Sequence, residues 1–131
     1  MKTTDLMIGD WVLDPDNKPA KVEILNIKES IQTARPNGMV CLTHCYRIDP
    51  IPLTEEILVK NGFKKSDIAD LFEYNTEYYE ITIHLFSDGI WIIMVDDIEF
   101  SQTIRSQMSV SYVHQLQQTL RLCGIEKEIE L

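Results

Sequence analysis

Tyr78-Tyr79-Glu80-Ile81-Thr82-Ile83-His84-Leu85-Phe86-Ser87-Asp88-Gly89-Ile90-Trp91-Ile92-Ile93-Met94-Val95 is the stretch on which the fold turns. From Tyr78 to Phe86, Tyr79, Ile81, Ile83 and Leu85 share one face while Glu80, Thr82, His84 and Phe86 share the other. That period of two marks a half-buried strand. Ser87-Asp88-Gly89 is a hairpin signal, because Gly reaches positive φ without steric cost. The returning run, Ile90 to Val95, is apolar on both faces and reads as a central or doubly covered strand. These residues therefore specify an antiparallel hairpin with a buried face.

Working outward, Leu71 to Asn75 is a further strand, Asp96-Asp97 the next turn, and Ile98 to Ile104 the region of a fourth strand. Upstream, Thr54 is placed to cap a helix whose first turn carries Glu55 and Glu56, where the helix dipole favours negative charge. Gly62 falls at the left-handed position after that helix, so Phe63 can pack back on Leu58. Downstream, a helix from about Ser111 to Cys123 gathers Tyr112, Val113, Leu116, Thr119, Leu120 and Cys123 in one arc. His114, Gln117, Gln118 and Arg121 lie opposite it as a solvated face. Gly124 repeats the C-terminal cap, with Ile125 meeting Leu120.

The first 52 residues have a different texture. Leu6 to Leu13 reads as a strand entered through the Gly9-Asp10 corner, and Asp14-Pro15-Asp16-Asn17 is a turn. Ala20 to Ile27 alternates Val22, Ile24 and Asn26 against Glu23, Leu25 and Ile27. Pro36-Asn37-Gly38 marks another turn before Met39 to Leu42 and Cys45 to Ile48. The expected fold is α+β: an N-terminal small bent antiparallel sheet or barrel over 1–52. An α+β lobe over 53–131 follows, built as helix, three- to four-stranded antiparallel meander and C-terminal helix; one compact domain is the default, and two small lobes sharing a core are the limit.

The chain has 131 residues and 44% apolar content, enough for a packed core and incompatible with a disordered or collagen-like class. Its formal charge is −9. Residues 1–52 carry seven acidic and six basic groups, whereas 53–131 carry fourteen and six, so the surplus resides in the second part. A sequence-blind grip on phosphate backbones is disfavoured there, and only weakly so in the first part. Leu6 to Ile8 is shorter than the roughly seven apolar residues that a secretory signal needs. No run approaches the ~20 residues needed to span a bilayer. Three cysteines with no framework spacing fit a reduced, cytoplasmic protein without membrane attachment.

Three segments carry a resemblance. Ile48 to Lys65 (IDPIPLTEEILVKNGFKK), the tyrosine-rich region at Tyr78-Tyr79-Glu80-Ile81, and Tyr112 to Leu131 (YVHQLQQTLRLCGIEKEIEL) resemble a family of small uncharacterised bacterial proteins. Its members are frequently carried on prophages and conjugative elements, and Leu6 to Leu13 (LMIGDWVL) belongs to the same pattern. The resemblance implies mobile-element cargo and brings no catalytic residues with it. Locally, Gly9-Asp10-Trp11-Val12, a turn, and Lys18 to Leu25 are similar to the opening of KOW-type small barrels. Ala20-Lys21 stands where those barrels usually have Gly.

Among chemical constellations, Cys41, His44 and Cys45 are the candidate metal ligands, three of the four that a tetrahedral zinc needs. In a strand, however, Cys41, Thr43 and Cys45 share one face and His44 the other, and no second knuckle exists. The favoured reading is therefore structural cysteines with no metal and no cofactor. Cys123, His84 and His114 give no recognisable Cys–His pair, the two histidines lying on polar faces. Asp14 and Asp16 open like a calcium loop, but Pro19 and Leu25 stand where Gly and Glu are needed. Asp96, Asp97 and Glu99 read as solvated turn charges. Trp91 is core, and Trp11 is core or the lining of a shallow groove.

No catalytic constellation is recognisable, and the favoured function is a non-enzymatic interaction or accessory factor of a mobile element. Trp11, Tyr74, Tyr78 and Tyr79 are the partner-binding candidates. The first alternative is a nucleic-acid-associated module whose Lys18, Lys21, Lys28, Arg35 and Arg47 contact phosphates while Trp11 stacks a base. The second is an acidic mimic that inhibits a basic host protein.

Overall fold

The computed structural model describes residues 1–26, 28–67, 70–98 and 106–131. Among these residues the protein is mixed α+β, with two five-stranded antiparallel sheets and two α-helices. The chain forms two compact units, Met1–Ile51 with Tyr112–Gln118, and Pro52–Ser111 with Thr119–Leu131. Among the described residues, no helix is long and apolar enough to cross a membrane.

In the first unit, β1 (Trp11–Leu13), β2 (Pro19–Leu25), β3 (Ser30–Ala34), β4 (Val40–His44) and β5 (Asp49–Pro50) pair in the order β4-β3-β2-β1-β5. β4 and β5 end that order without pairing to each other, so the sheet is open and the barrel alternative is corrected. The strand expected over Leu6–Leu13 begins only at Trp11; Gly9, at φ +89°, turns the chain beforehand. Leu6, Val12, Val22, Ile31, Cys45 and Ile48 form the core.

The alternation expected along β2 breaks at a bulge: Val22 pairs Thr33, but Ile24 already pairs Gln32. A bulge inserts one residue and reverses the facing of the residues after it. Val22 is therefore buried, Ile24 exposed, and Leu25 packs against the core. Ile27 lies outside the described residues. Cys45 to Ile48, one of the segments of the expected N-terminal sheet, forms a 3₁₀ turn over Cys45–Arg47, closed by the Ile48 N–H donating to the Cys45 carbonyl.

The β1–β2 turn is built on Asp14, whose residue is 3% exposed. Its Oδ1 accepts the N–H groups of Asp16 (2.9 Å) and Lys18 (3.0 Å). Its Oδ2 pairs with Arg35 Nε at 2.5 Å, and Arg35 Nη2 also reaches Asp16. Burial by itself pushes the Asp14 carboxyl up, but Arg35 and the two N–H groups outweigh it and hold the pKa below its ordinary value. A carboxyl depressed on folding stabilises above its unfolded pKa of about 4, and this stabilisation is lost as pH falls through the folded value. Asp14→Ala is expected to cost about 2–3 kcal/mol at neutral pH, because Arg35 loses the buried one of its two carboxylate partners and two N–H groups lose an acceptor. Urea titrations over a series of pH values descending from neutral check this, since the gap between wild type and variant should narrow as pH falls through the depressed folded pKa of Asp14.

In the second unit, α1 (Glu55–Lys60) has Thr54 as its N-cap, with Oγ1 accepting the Ile57 N–H at 3.4 Å. It ends in the expected Schellman motif: Phe63 N–H donates to the Leu58 carbonyl and Gly62 N–H to that of Val59, with Gly62 at φ +85°. β6 (Lys64–Lys65), β7 (Leu71–Asn75), β8 (Tyr79–Ser87), β9 (Ile90–Asp97) and β10 (Ser106–Val110) form a meander in the order β10-β9-β8-β7-β6. Ile83 sits between Phe72 on β7 and Ile93 on β9, and all three are fully buried. The two-residue β6 extends the expected meander to five strands. Asp96 and Asp97 do not turn. They continue β9, because Glu80 and Tyr79 on β8 still offer partner backbone there. Of the region expected as the fourth strand, 99–104 lies outside the described residues, and β10 starts at Ser106.

Helix α2 (Val113–Leu122) ends with the second Schellman motif, Ile125 N–H to the Leu120 carbonyl and Gly124 N–H to that of Arg121. Its expected polar face is corrected within the first unit, where His114 and Gln117 are buried. Gln117 Oε1 accepts the Trp11 N–H at 2.9 Å, and its Nε2 donates to the Gly9 carbonyl. Gln118 Nε2 donates to the Asp5 carbonyl and to Asp10 Oδ2. Amide side chains thus satisfy backbone groups of residues 5–11 that the pairing with β2 leaves over.

Candidate functional site

The tyrosines singled out by sequence come together in the second unit. β7 carries Tyr74, and the chain reverses into β8 through Asn75 to Tyr78. Thr76 holds that reversal: its N–H donates to the Tyr79 carbonyl (2.8 Å), and its Oγ1 accepts the Tyr79 N–H (3.0 Å). Tyr79 starts β8 half-buried, whereas Tyr78, still in the turn, keeps 54% of its surface exposed. With Gly124 to Lys127 these residues line a groove of about 300 Å³.

Each wall is fixed by packing. Phe63 lies 5.2 Å from the Tyr74 ring, centroid to centroid, and Lys127 Nζ lies 4.3 Å from that ring's centroid, within cation–π range. The last residues are held by Asn61. Its Nδ2 donates to the carbonyls of Ile57 (2.8 Å) and Glu130 (2.7 Å), and its Oδ1 accepts the Glu130 N–H at 2.7 Å. Ile125 and Ile129 anchor the same stretch in the core, and Lys60 Nζ donates to the Leu131 carbonyl oxygen. The groove thus presents three phenol rings, the Thr76 hydroxyl, the Lys127 ammonium and the Glu126 carboxylate. These groups can stack on, hydrogen-bond and pair with a polypeptide segment or a small polar molecule.

The other candidates lie elsewhere. Trp11 is buried at 7% exposure, with Lys21 Nζ 5.2 Å from its ring centroid, and offers no stacking platform. Cys41 and Thr43 alternate with the exposed Leu42 and His44 along β4. Cys45 is sealed in the core, and His44 stacks on Tyr46. Among the described residues, no three His, Cys, Asp or Glu side chains are grouped to hold a metal ion. Of the basic residues considered for phosphate contact, Arg35 is committed to Asp14 and Asp16, and Lys21 lies over Trp11. His84 is exposed on β8, and His114 is buried, contrary to its expected solvation.

Lys127, Thr76 and Asn61 escaped the sequence reading. Asn before Gly62 marks a helix end, but nothing local reveals that its amide reaches Glu130, sixty-nine positions away. No family model, no curated protein and no solved structure matches the chain.

Proposed function

We propose that this protein is a non-enzymatic interaction factor, an accessory component of a mobile element, whose tyrosine groove receives a segment of another protein. The observation that carries this reading is the exposed Tyr78 ring beside Tyr74 and Tyr79, in a groove whose walls are fixed by Thr76 and Asn61. Tyrosine supplies large, rigid contact area at low entropic cost and is enriched where partners anchor. The partner is basic: positions 53–131 carry fourteen acidic against six basic residues, and complementary charge speeds encounter and selects partners. Three free cysteines fit a reducing, cytoplasmic setting for the encounter.

Tyr78→Ala tests it. The side chain is mostly exposed, so stability should change by less than about 0.5 kcal/mol. Loss of an anchoring tyrosine costs about 2 kcal/mol, or roughly 30-fold in affinity. Cross-linking of the wild type and the variant in host lysate, read by mass spectrometry, should show one stoichiometric partner that the variant loses. A partner retained at full yield by Tyr78→Ala refutes the groove, and the absence of any stoichiometric partner refutes the function.

A further inference from the structure

The first unit holds a second site that the tyrosine groove does not explain. The first turns of α2 wall a cleft of about 420 Å³, lined also by Met1, Thr4, Asp5 and Pro50. His114 is part of that wall. It is 4% exposed, its ring lies parallel to Tyr112 (5.8 Å, 9°), and its Nδ1 has no hydrogen-bond partner among the described residues. Buried polar nitrogens are almost always paired, so one left over beside a cleft marks where a ligand's polar group is wanted.

The chemistry of the lining selects that ligand. Asp5 contributes a carboxylate, one oxygen of which accepts the Lys2 N–H at 3.0 Å. Gln118 has turned its amide nitrogen to the Asp5 carbonyl and to Asp10 Oδ2, leaving its amide oxygen as the remaining polar group. Pro50 has no N–H. The Met1 amine donates to the Cys45 carbonyl at 3.5 Å. The positive end of α2 would by itself attract an anion. Asp5 and Asp10 already provide negative charge there, and Asp10 Oδ2 takes both the Met7 N–H (2.8 Å) and Gln118 Nε2 (2.6 Å). What is lacking is a donor-rich group, and the exposed part of the Tyr112 ring offers a flat surface for it.

We propose that this cleft binds a guanidinium group, stacked on Tyr112 and paired with the Asp5 carboxylate. A guanidinium is planar, carries five N–H donors in a fork that matches a carboxylate, and stacks on aromatic faces. An alkylammonium can pair with the carboxylate and sit over the ring, but it cannot stack flat on it or offer a fork of parallel donors, and an anion meets Asp5 and Asp10. Neutral His114 suits a cationic neighbour. Burial pushes its pKa below the ordinary histidine value, against the weaker upward pull of Asp10 and Asp5.

The test is an NMR titration of the His114 and Tyr112 ring resonances in the full chain. Agmatine and a short arginine-containing peptide serve as guanidinium probes, with butylamine and inorganic phosphate as comparisons. Agmatine should give saturable shifts at least about fivefold tighter than butylamine, and Asp5→Asn should weaken it about fivefold while the spectrum stays folded. Stronger binding of the peptide assigns the group to an arginine of a partner, and stronger binding of agmatine to a free guanidino compound. Affinity should fall as the pH drops below the ordinary histidine range and His114 gains its proton, and His114→Gln should remove that dependence. No saturable shift up to about 20 mM, equal affinity for butylamine, or tighter binding of phosphate would overturn the proposal.

Discussion

Replacing Phe72 with alanine is expected to lower the stability of the second unit by about 4 kcal/mol, a large part of the roughly 5–15 kcal/mol by which small domains are stable. Phe72 is fully buried on β7, pairs across the sheet with Ile83, and meets Trp91 edge-to-face at 5.7 Å. The substitution therefore removes a ring, leaves a cavity, and withdraws one side of the packing that orients Trp91. That orientation matters because Trp91 Nε1 donates to the Leu53 carbonyl at 3.1 Å, tying β9 to the segment before α1. Phe86→Ala is the matched control. Phe86 is 69% exposed, and the register shift between Leu85 and Ser87 leaves it without a pairing partner. It should change stability by less than about 0.5 kcal/mol. Chemical denaturation followed by tryptophan fluorescence separates the two, and similar losses would mean that the burial pattern of β7 and β8 is misassigned.

The features legible in the sequence are those written in local physics. Both Schellman motifs could be read because Gly62 and Gly124 each sit two residues beyond the last helical turn and are followed by an apolar residue. The β8–β9 hairpin could be read because its alternation is unbroken from Tyr79 to Leu85. What was misread depends on partners distant in the chain. Glu23 looks like any outward strand residue, and only the register of β2 on β3, which skips it, makes it a bulge. Asp96 and Asp97 have turn composition, yet the length of β8 keeps them in the sheet. β3 itself (Ser-Ile-Gln-Thr-Ala) shows one strongly apolar position, Ile31; its other inward residue, Thr33, is polar and buried.

The same division runs through the two sites. Tyr74, Tyr78 and Tyr79 are adjacent in sequence, so a cluster could be expected, but the wall opposite them comes from Gly124 to Lys127. His114 was misplaced for a related reason. Helical periodicity places it on the face away from Leu116 and Leu120, and that rule assumes that the opposite face is wet. Here Gln117 and Gln118 bind the backbone of residues 5–11, which draws their side of the helix inward together with His114.

Asn61→Ala should release the C-terminal residues from the second unit and, with them, dismantle the groove. The side chain is 7% exposed and makes three hydrogen bonds, two given and one received. At about 1 kcal/mol net for each, their loss amounts to roughly 2–4 kcal/mol. The loss falls mainly on Glu126 to Leu131, since α1 keeps its own cap through the Asn61 N–H and the Gly62 and Phe63 bonds. Asn61→Asp should do no better: it still accepts the Glu130 N–H, but it sets a carboxylate against the carbonyl oxygens of Ile57 and Glu130 in place of a donor. Hydrogen exchange is the direct measurement, with the Glu130 amide losing its protection in both variants while the β8 and β9 amides keep theirs. Because Lys127 then leaves the Tyr74 ring, partner capture should fall as far as in Tyr78→Ala although every tyrosine is intact. Undiminished protection at Glu130 would show that Ile125 and Ile129 alone hold the segment. Full capture despite lost protection would show that the partner binds the tyrosines without the opposite wall.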